Sequence, residues 1–220
     1  MPSQAVQRIS LRWLPDPAFE DSDTVALNVG GYFVDLRVSK KDQTIQWSRA
    51  GERIPLKTKP PTFRWTHIID SLDLTVPDDA HFEKLPNGDD LEIGTTPAPH
   101  LENIPTDYEE VWRDITAKKN PNELSWILQS EDGTAFVARV GNIYLAIRKA
   151  SGEALAARRQ DRKSVDGKDV WNVTFESGDT ATLPQAVDAS LVIEASGRFS
   201  EGQKVKIGPT NYISRAVSID

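Results

Sequence analysis

Ala26-Leu27-Asn28-Val29-Gly30-Gly31-Tyr32-Phe33-Val34-Asp35-Leu36-Arg37 decides the fold class. Two apolar runs meet at a glycine pair, which is the chemistry of a tight hairpin between antiparallel strands. Tyr32, Val34, Leu36 and Val38 share one face, and Phe33, Asp35 and Arg37 share the other. That period of two marks strands. It recurs in Ile9, Leu11 and Trp13, and again in Phe63, Trp65, His67 and Ile69. Ala138-Arg139-Val140-Gly141-Asn142-Ile143-Tyr144-Leu145-Ala146-Ile147-Arg148 echoes the first hairpin in the second half of the chain. Trp126, Leu128, Trp171, Val173 and Phe175 continue the pattern, and residues 184–191 read as the one short helical stretch.

Strands spaced roughly 8–12 residues apart with tight turns predict an all-β sandwich or barrel. Closure into a barrel removes the unpaired edges that invite aggregation. Gly94 to Thr106 contains Pro97, Pro99 and Pro105 and reads as an extended connector. The expected organisation is therefore two tandem antiparallel β-barrels, residues 1–100 and 101–220.

The 220 residues carry a formal net charge of −7, with no Cys, one Met and three His. Lack of Cys removes disulfides, thiolate catalysis and Cys-ligated zinc, and no metal or other cofactor is expected. An acidic surface disfavours nucleic acid and anionic membrane. The basic stretch Arg158, Arg159, Arg162 and Lys163 is interrupted by Asp161 and reads as a solvated hairpin. Met1 to Trp13 lacks the apolar run of a secretory signal, and no stretch is apolar enough to span a bilayer, so a soluble, cytoplasmic protein is expected. Dinucleotide, P-loop, zinc-peptidase and nucleophile-elbow motifs are all missing.

Glu20 to Leu27 leading into Gly31 to Arg37, Gln46-Trp47-Ser48-Arg49-Ala50-Gly51, and Trp65-Thr66-His67-Ile68-Ile69-Asp70-Ser71 resemble stretches of the fungal Hri-type proteins. Leu85 to Gly94, Tyr108 to Arg113, and Ala135 to Gly141 extend the likeness along most of the chain. The resemblance implies two calycin-like, lipocalin-like barrels in tandem. It carries no established reaction or catalytic residues. Relatives in fungal secondary-metabolite gene clusters make a cofactor-independent cyclase or isomerase one expectation.

His67 is the candidate catalytic residue. An imidazole on an apolar strand could move a proton near pH 7; the plainer use is a core histidine bonded to backbone. Asp35 and Arg37 would anchor a carbonyl or enolate if they faced inward. Facing outward, as the alternation favours, they form a surface pair worth under about 1 kcal/mol. Glu110, Trp112 and Asp114 share a face if 108–115 is a strand, serving either a substrate or a barrel rim. Arg139 and Arg148 flank the Gly141 turn and would grip an anionic oxygen if inward, or form a solvated pair if outward. Trp47, Phe63, Trp65 and Trp171 offer flat faces for an apolar ligand, or simply core. The function these residues favour is the binding of a small, mostly apolar molecule in a barrel cavity, with catalysis by shape and a proton-transfer group. The alternative is a nonenzymatic adaptor with filled barrels and a protein partner.

Overall fold

Gly30 adopts a left-handed φ of 56°, and Val29 pairs with Tyr32 across the two-residue turn. Gly141 does the same at 55°, with Val140 opposite Ile143. Such a φ carries little steric cost only without a Cβ, so the echo in sequence is an echo in structure. The computed structural model describes residues 2–102, 104–117 and 123–219.

The first sheet contains β1 (Gln4–Trp13), β2 (Ser22–Val29), β3 (Tyr32–Ser39), β4 (Ile45–Thr58), β5 (Pro61–Trp65), β6 (Ile69–Asp70), β7 (Asp78–Lys84), β8 (Asp90–Ala98) and β9 (Ile104–Asp114). Its order is β3-β2-β1-β9-β8-β7-β5-β4-β6, and β3 also pairs with β4. Eight strands thus close a barrel, while β6 pairs with Arg49 and Ala50 within β4. The second sheet contains β10 (Leu124–Ser130), β11 (Ala135–Val140), β12 (Ile143–Arg148), β13 (Ala156–Val165), β14 (Lys168–Ser177), β15 (Lys204–Ile207) and β16 (Thr210–Ile219). Its order is β14-β13-β12-β11-β10-β16-β15. The all-β, two-barrel expectation holds, with the first barrel closed. The helix α1 (Ala186–Ala195) is longer at its C-terminal end than the sequence suggested.

The join between the two halves is not near residue 100. Thr95 pairs with Asp107 and Pro97 with Pro105, so Gly94 to Thr106 is a hairpin that completes the first barrel. Proline's fixed φ suits extended backbone as well as it suits a linker, and only the long-range pairing of β9 with β1 separates the two uses. The first barrel therefore runs to Asp114 and the second sheet begins at Leu124.

The two sheets share one core. Val25, Leu27, Val29, Val34 and Leu36 on the outside of the barrel pack with Phe136, Ala138, Val140, Leu145 and Ile147 of the second sheet. Burial of each such side chain stabilises the fold by about 1.5–3 kcal/mol. On the other face of the second sheet, Trp126, Leu128, Val137 and Tyr144 pack against Ala186, Ala189 and Ile193 of α1. The Tyr144 hydroxyl donates to the Pro184 carbonyl at 2.7 Å, and the α1 entry is held by Ala186 N–H on Gln160 Oε1 at 2.8 Å. Trp126 and Tyr144 have no exposed surface; they fill the core between the second sheet and α1.

Candidate functional site

The first barrel holds two cavities. Because the apolar residues of β2 and β3 face the second sheet, their alternates face the lumen. Asp35 and Arg37 therefore point inward and are buried, the reverse of the outward placement that alternation favoured. The same inversion reaches β1 through a bulge between Arg8 and Ser10. A bulge shifts which residues face in: Arg8 lies in the lumen before it, and Leu11 and Trp13 line the cavity after it.

These inward charges form a continuous layer across the barrel. Arg8 bonds Glu110 at 2.6 Å and Glu20 at 2.9 Å. Arg37 bridges Glu110 at 2.8 Å and Asp35 at 3.0 Å. Arg49 lies 3.6 Å from Asp35 and pairs closely with Asp78. Thr96 donates to Asp78 at 2.8 Å. The Trp47 ring lies under both guanidiniums, 4.7 Å from Arg37 and 4.2 Å from Arg49, where cation–π attraction adds to the ion pairs. Burial disfavours the Asp78 anion, but His67 and Arg49 outweigh it and hold the carboxyl below its ordinary range.

Above this layer, at the end where β3 finishes and β4 begins, lies a cavity of about 350 Å³. Leu11, Trp13, Phe19, Leu72 and Leu74 form its apolar wall and rim, and Arg37, Trp47 and Tyr108 lie deeper. Phe19 and Leu72 are exposed, so the rim offers apolar surface to an entering molecule.

At the opposite end is a smaller cavity of about 190 Å³, bounded by Phe33, Phe63, Trp65, Phe82 and Trp112 with Asp35, Arg49 and Glu92. Phe63, Trp65 and Phe82 touch one another edge to face or tilted, with centroids 5.9–6.1 Å apart. The Arg53 guanidinium sits 3.7 Å above the Phe63 ring. Burial first, and then the neighbouring Glu110 carboxylate, raise the Glu92 pKa to about 7. The Tyr108 hydroxyl donates to Glu92 at 2.7 Å.

His67 is placed differently from its expected position. β5 ends at Trp65, and His67 sits in the bend before β6 with its side chain fully covered. Nδ1 lies 2.7 Å from Asp70 and Nε2 lies 3.2 Å from Asp78. Burial works against the imidazolium, yet the two carboxylates prevail and raise its pKa above 6.5. Asp70 also accepts from Trp47 Nε1 at 2.9 Å. The ring clamps a carboxylate pair beneath the larger cavity rather than offering a nitrogen to it.

Of the other candidates, Arg37, Trp47 and Glu110 line the larger cavity; Asp35, Phe63, Trp65 and Trp112 line the smaller one. Asp114, on the same strand as Glu110 and Trp112, is exposed at its end. Arg139, Arg148 and Trp171 lie in the second sheet, away from both cavities. Arg139 pairs with Tyr144, and Arg148 with Ala135 at the far end of that hairpin, so the two arginines do not converge. Arg139 ion-pairs with Glu123 and stands over Trp171, while Arg148 meets Glu153 at 3.2 Å. The basic stretch is likewise divided: Arg158 is buried, and Arg159 reaches Asp23 of the first barrel at 3.0 Å. Sequence reasoning missed Arg8, Arg49, Asp78, Glu92 and Tyr108. Arg8 was hidden by the bulge, and Asp78, following Pro77, has the composition of a turn.

Fold and site together define a cavity-bearing double-barrel protein, in which one barrel keeps a cavity on each side of an ion-paired layer and the second sheet packs against its outer face. The family model for Protein HRI1 matches residues 4–211, and the chain belongs to that family. It is similar to the crystal structure of the uncharacterized protein YLR301w from Saccharomyces cerevisiae, with a TM-score of 0.76 at 15% identity over 98% of this chain and 99% of that one. At that identity the likeness speaks for the fold. No curated protein sequence matches.

Proposed function

We propose that the first barrel binds one small, mostly apolar molecule in its larger cavity. The observation that carries this reading is a space of about 350 Å³ with an apolar rim and a floor of buried ion pairs. Ligand pockets of about 300–1,000 Å³ with few convergent polar groups are the usual form of a small-molecule site. The floor groups already pair with one another, Arg8 and Arg37 with Glu110 and Arg49 with Asp78, so they hold the cavity's shape rather than await a substrate charge. Binding without turnover is therefore favoured over cyclisation or isomerisation, since His67 has both ring nitrogens on carboxylates. A cytoplasmic setting suits an acidic chain without cysteine. Among the described residues, no helix is long and apolar enough to cross a membrane.

Titration with the neutral fluorophore N-phenyl-1-naphthylamine tests the proposal. The expected result is a saturable rise in emission, weakened about tenfold or more by Leu74→Trp, which puts an indole into the mouth. Equal binding by both proteins, or none by either, overturns it; the second outcome favours a surface that recognises another protein.

A further inference from the structure

Asp70 and Asp78 both bond His67, at 2.7 and 3.2 Å, so the chain between them leaves the barrel and returns to it at one imidazole. Surface loops of roughly 6–16 residues with close ends are compact units and often functional ones. This loop spans Ser71 to Pro77, between β6 and β7. Its Leu72 and Leu74 border the larger cavity, and Leu72 is exposed on the same rim as Phe19. Its other side faces a cleft of about 180 Å³ shared with Lys149, Ala150 and Ser151, which follow β12 of the second sheet. Lys149 reaches across that cleft. Its Nζ lies 2.9 Å from the Asp70 carbonyl, 3.4 Å from the Ser71 carbonyl and 2.5 Å from Asp73 Oδ1. The lysine is itself fixed, since its backbone N–H donates to the Thr134 carbonyl at 2.9 Å. Within the loop, Leu72 N–H donates to Asp70 Oδ1 at 2.7 Å and Asp73 N–H to the Asp70 carbonyl at 3.3 Å.

We propose that Ser71–Pro77 is a lid over the larger cavity and that Lys149 is the latch by which the second sheet holds it. The effect on a ligand rests on the larger cavity being the binding site, whereas the latch itself stands on the contacts of Lys149. The ends of the lid are fixed. Asp70 holds Trp47 Nε1 as well as His67, and Asp78 holds Arg49 and Thr96. Between them, Leu72 and Leu74 move away from the cavity when the loop swings outward and cover a guest when it returns. The Lys149–Asp73 pair is exposed on the carboxylate side, so it adds little to the stability of the whole fold. It acts instead on a local opening, the kind of motion that sets the rates of entry and release. The second sheet thereby takes part in ligand exchange although the larger cavity lies in the first barrel.

Two measurements on the full chain test this, amide hydrogen exchange by NMR and stopped-flow entry and release of N-phenyl-1-naphthylamine. Lys149→Met keeps the length of the side chain and removes its charge and donors. Exchange at the Leu72 and Asp73 amides should quicken about tenfold, as the loss of charged hydrogen bonds implies, while the Phe136 and Leu145 amides of the shared core keep their rates. Entry and release of the fluorophore should both quicken by about the same factor and leave Kd within about twofold, because a gate acts on both directions alike. Asp73→Asn removes only the exposed partner, and asparagine tolerates the left-handed φ of 59° at that position. It should quicken exchange at Leu72 by about threefold, and it decides the matter if Lys149→Met fails to fold. Unchanged exchange at Leu72 and Asp73 overturns the latch, and faster release at unchanged entry overturns the gate. A chain that binds no fluorophore overturns the lid's role in ligand exchange along with the cavity reading, and the exchange rates still show whether Lys149 holds the loop.

Discussion

Glu92→Gln isolates the energetic cost of the buried charges in the lumen. Burial and the nearby Glu110 raise the Glu92 carboxyl from 4.5 to about 7, so between those pH values the native chain holds a proton that the unfolded chain has lost. A carboxyl raised in this way contributes stability below pH 4.5 and loses it as pH rises through about 7. Each tenfold difference in proton affinity is worth about 1.4 kcal/mol, which makes the loss about 3 kcal/mol between pH 4.5 and 8. Glutamine keeps an acceptor for the Tyr108 hydroxyl, now 2.7 Å from Glu92, and carries no charge at any pH. Urea unfolding followed by tryptophan emission should give equal stabilities for the two proteins at pH 5, within about 1 kcal/mol. At pH 8 the variant should be the more stable by about 2–3 kcal/mol. His67 titrates in both proteins and cancels in the difference. A variant destabilised equally at both pH values would refute the reasoning, since it would mean that Glu92 is ionised and paired throughout.

His67→Ala leaves Asp70 and Asp78 without the cation between them and should cost about 3–5 kcal/mol at pH 6. The His67 pKa is raised, so its contribution is complete below pH 6.5 and is lost as pH rises through the native value; the deficit measured by urea unfolding should shrink at pH 9. Phe136→Ala empties part of the core shared by both sheets and should cost about 3–5 kcal/mol, with barrel and second sheet still unfolding in a single calorimetric transition. Arg159→Ala removes pairs with the half-exposed Asp23 and with Asp161, and chemical denaturation should register about 1 kcal/mol.

The strands were legible because a period of two survives in single stretches, and the Gly30 and Gly141 turns announce their hairpins. What alternation cannot state is which face is inside. Val34 and Leu36 share a face and so do Asp35 and Arg37, but only the arrival of Phe136 and Leu145 from the second sheet makes the apolar face the outer one. That long-range contact turned a surface pair into the lumen's ion pairs. The bulge after Arg8 moved another arginine inward for a local reason that residue types alone do not show. The prolines of Gly94 to Thr106 misled in the same way, since extended backbone serves a linker and a hairpin alike. The tryptophans divided by place: Trp47, Trp65 and Trp112 border space, whereas Trp126 packs in the core beneath α1.

A crystal structure of the chain soaked with N-phenyl-1-naphthylamine is the most direct measurement. The account predicts density for the amine inside the first barrel, between Trp47, Leu72 and Tyr108, with the Arg37–Glu110 pair intact beneath it. A lumen packed with ordered side chains, or density found on the outer surface alone, would contradict it.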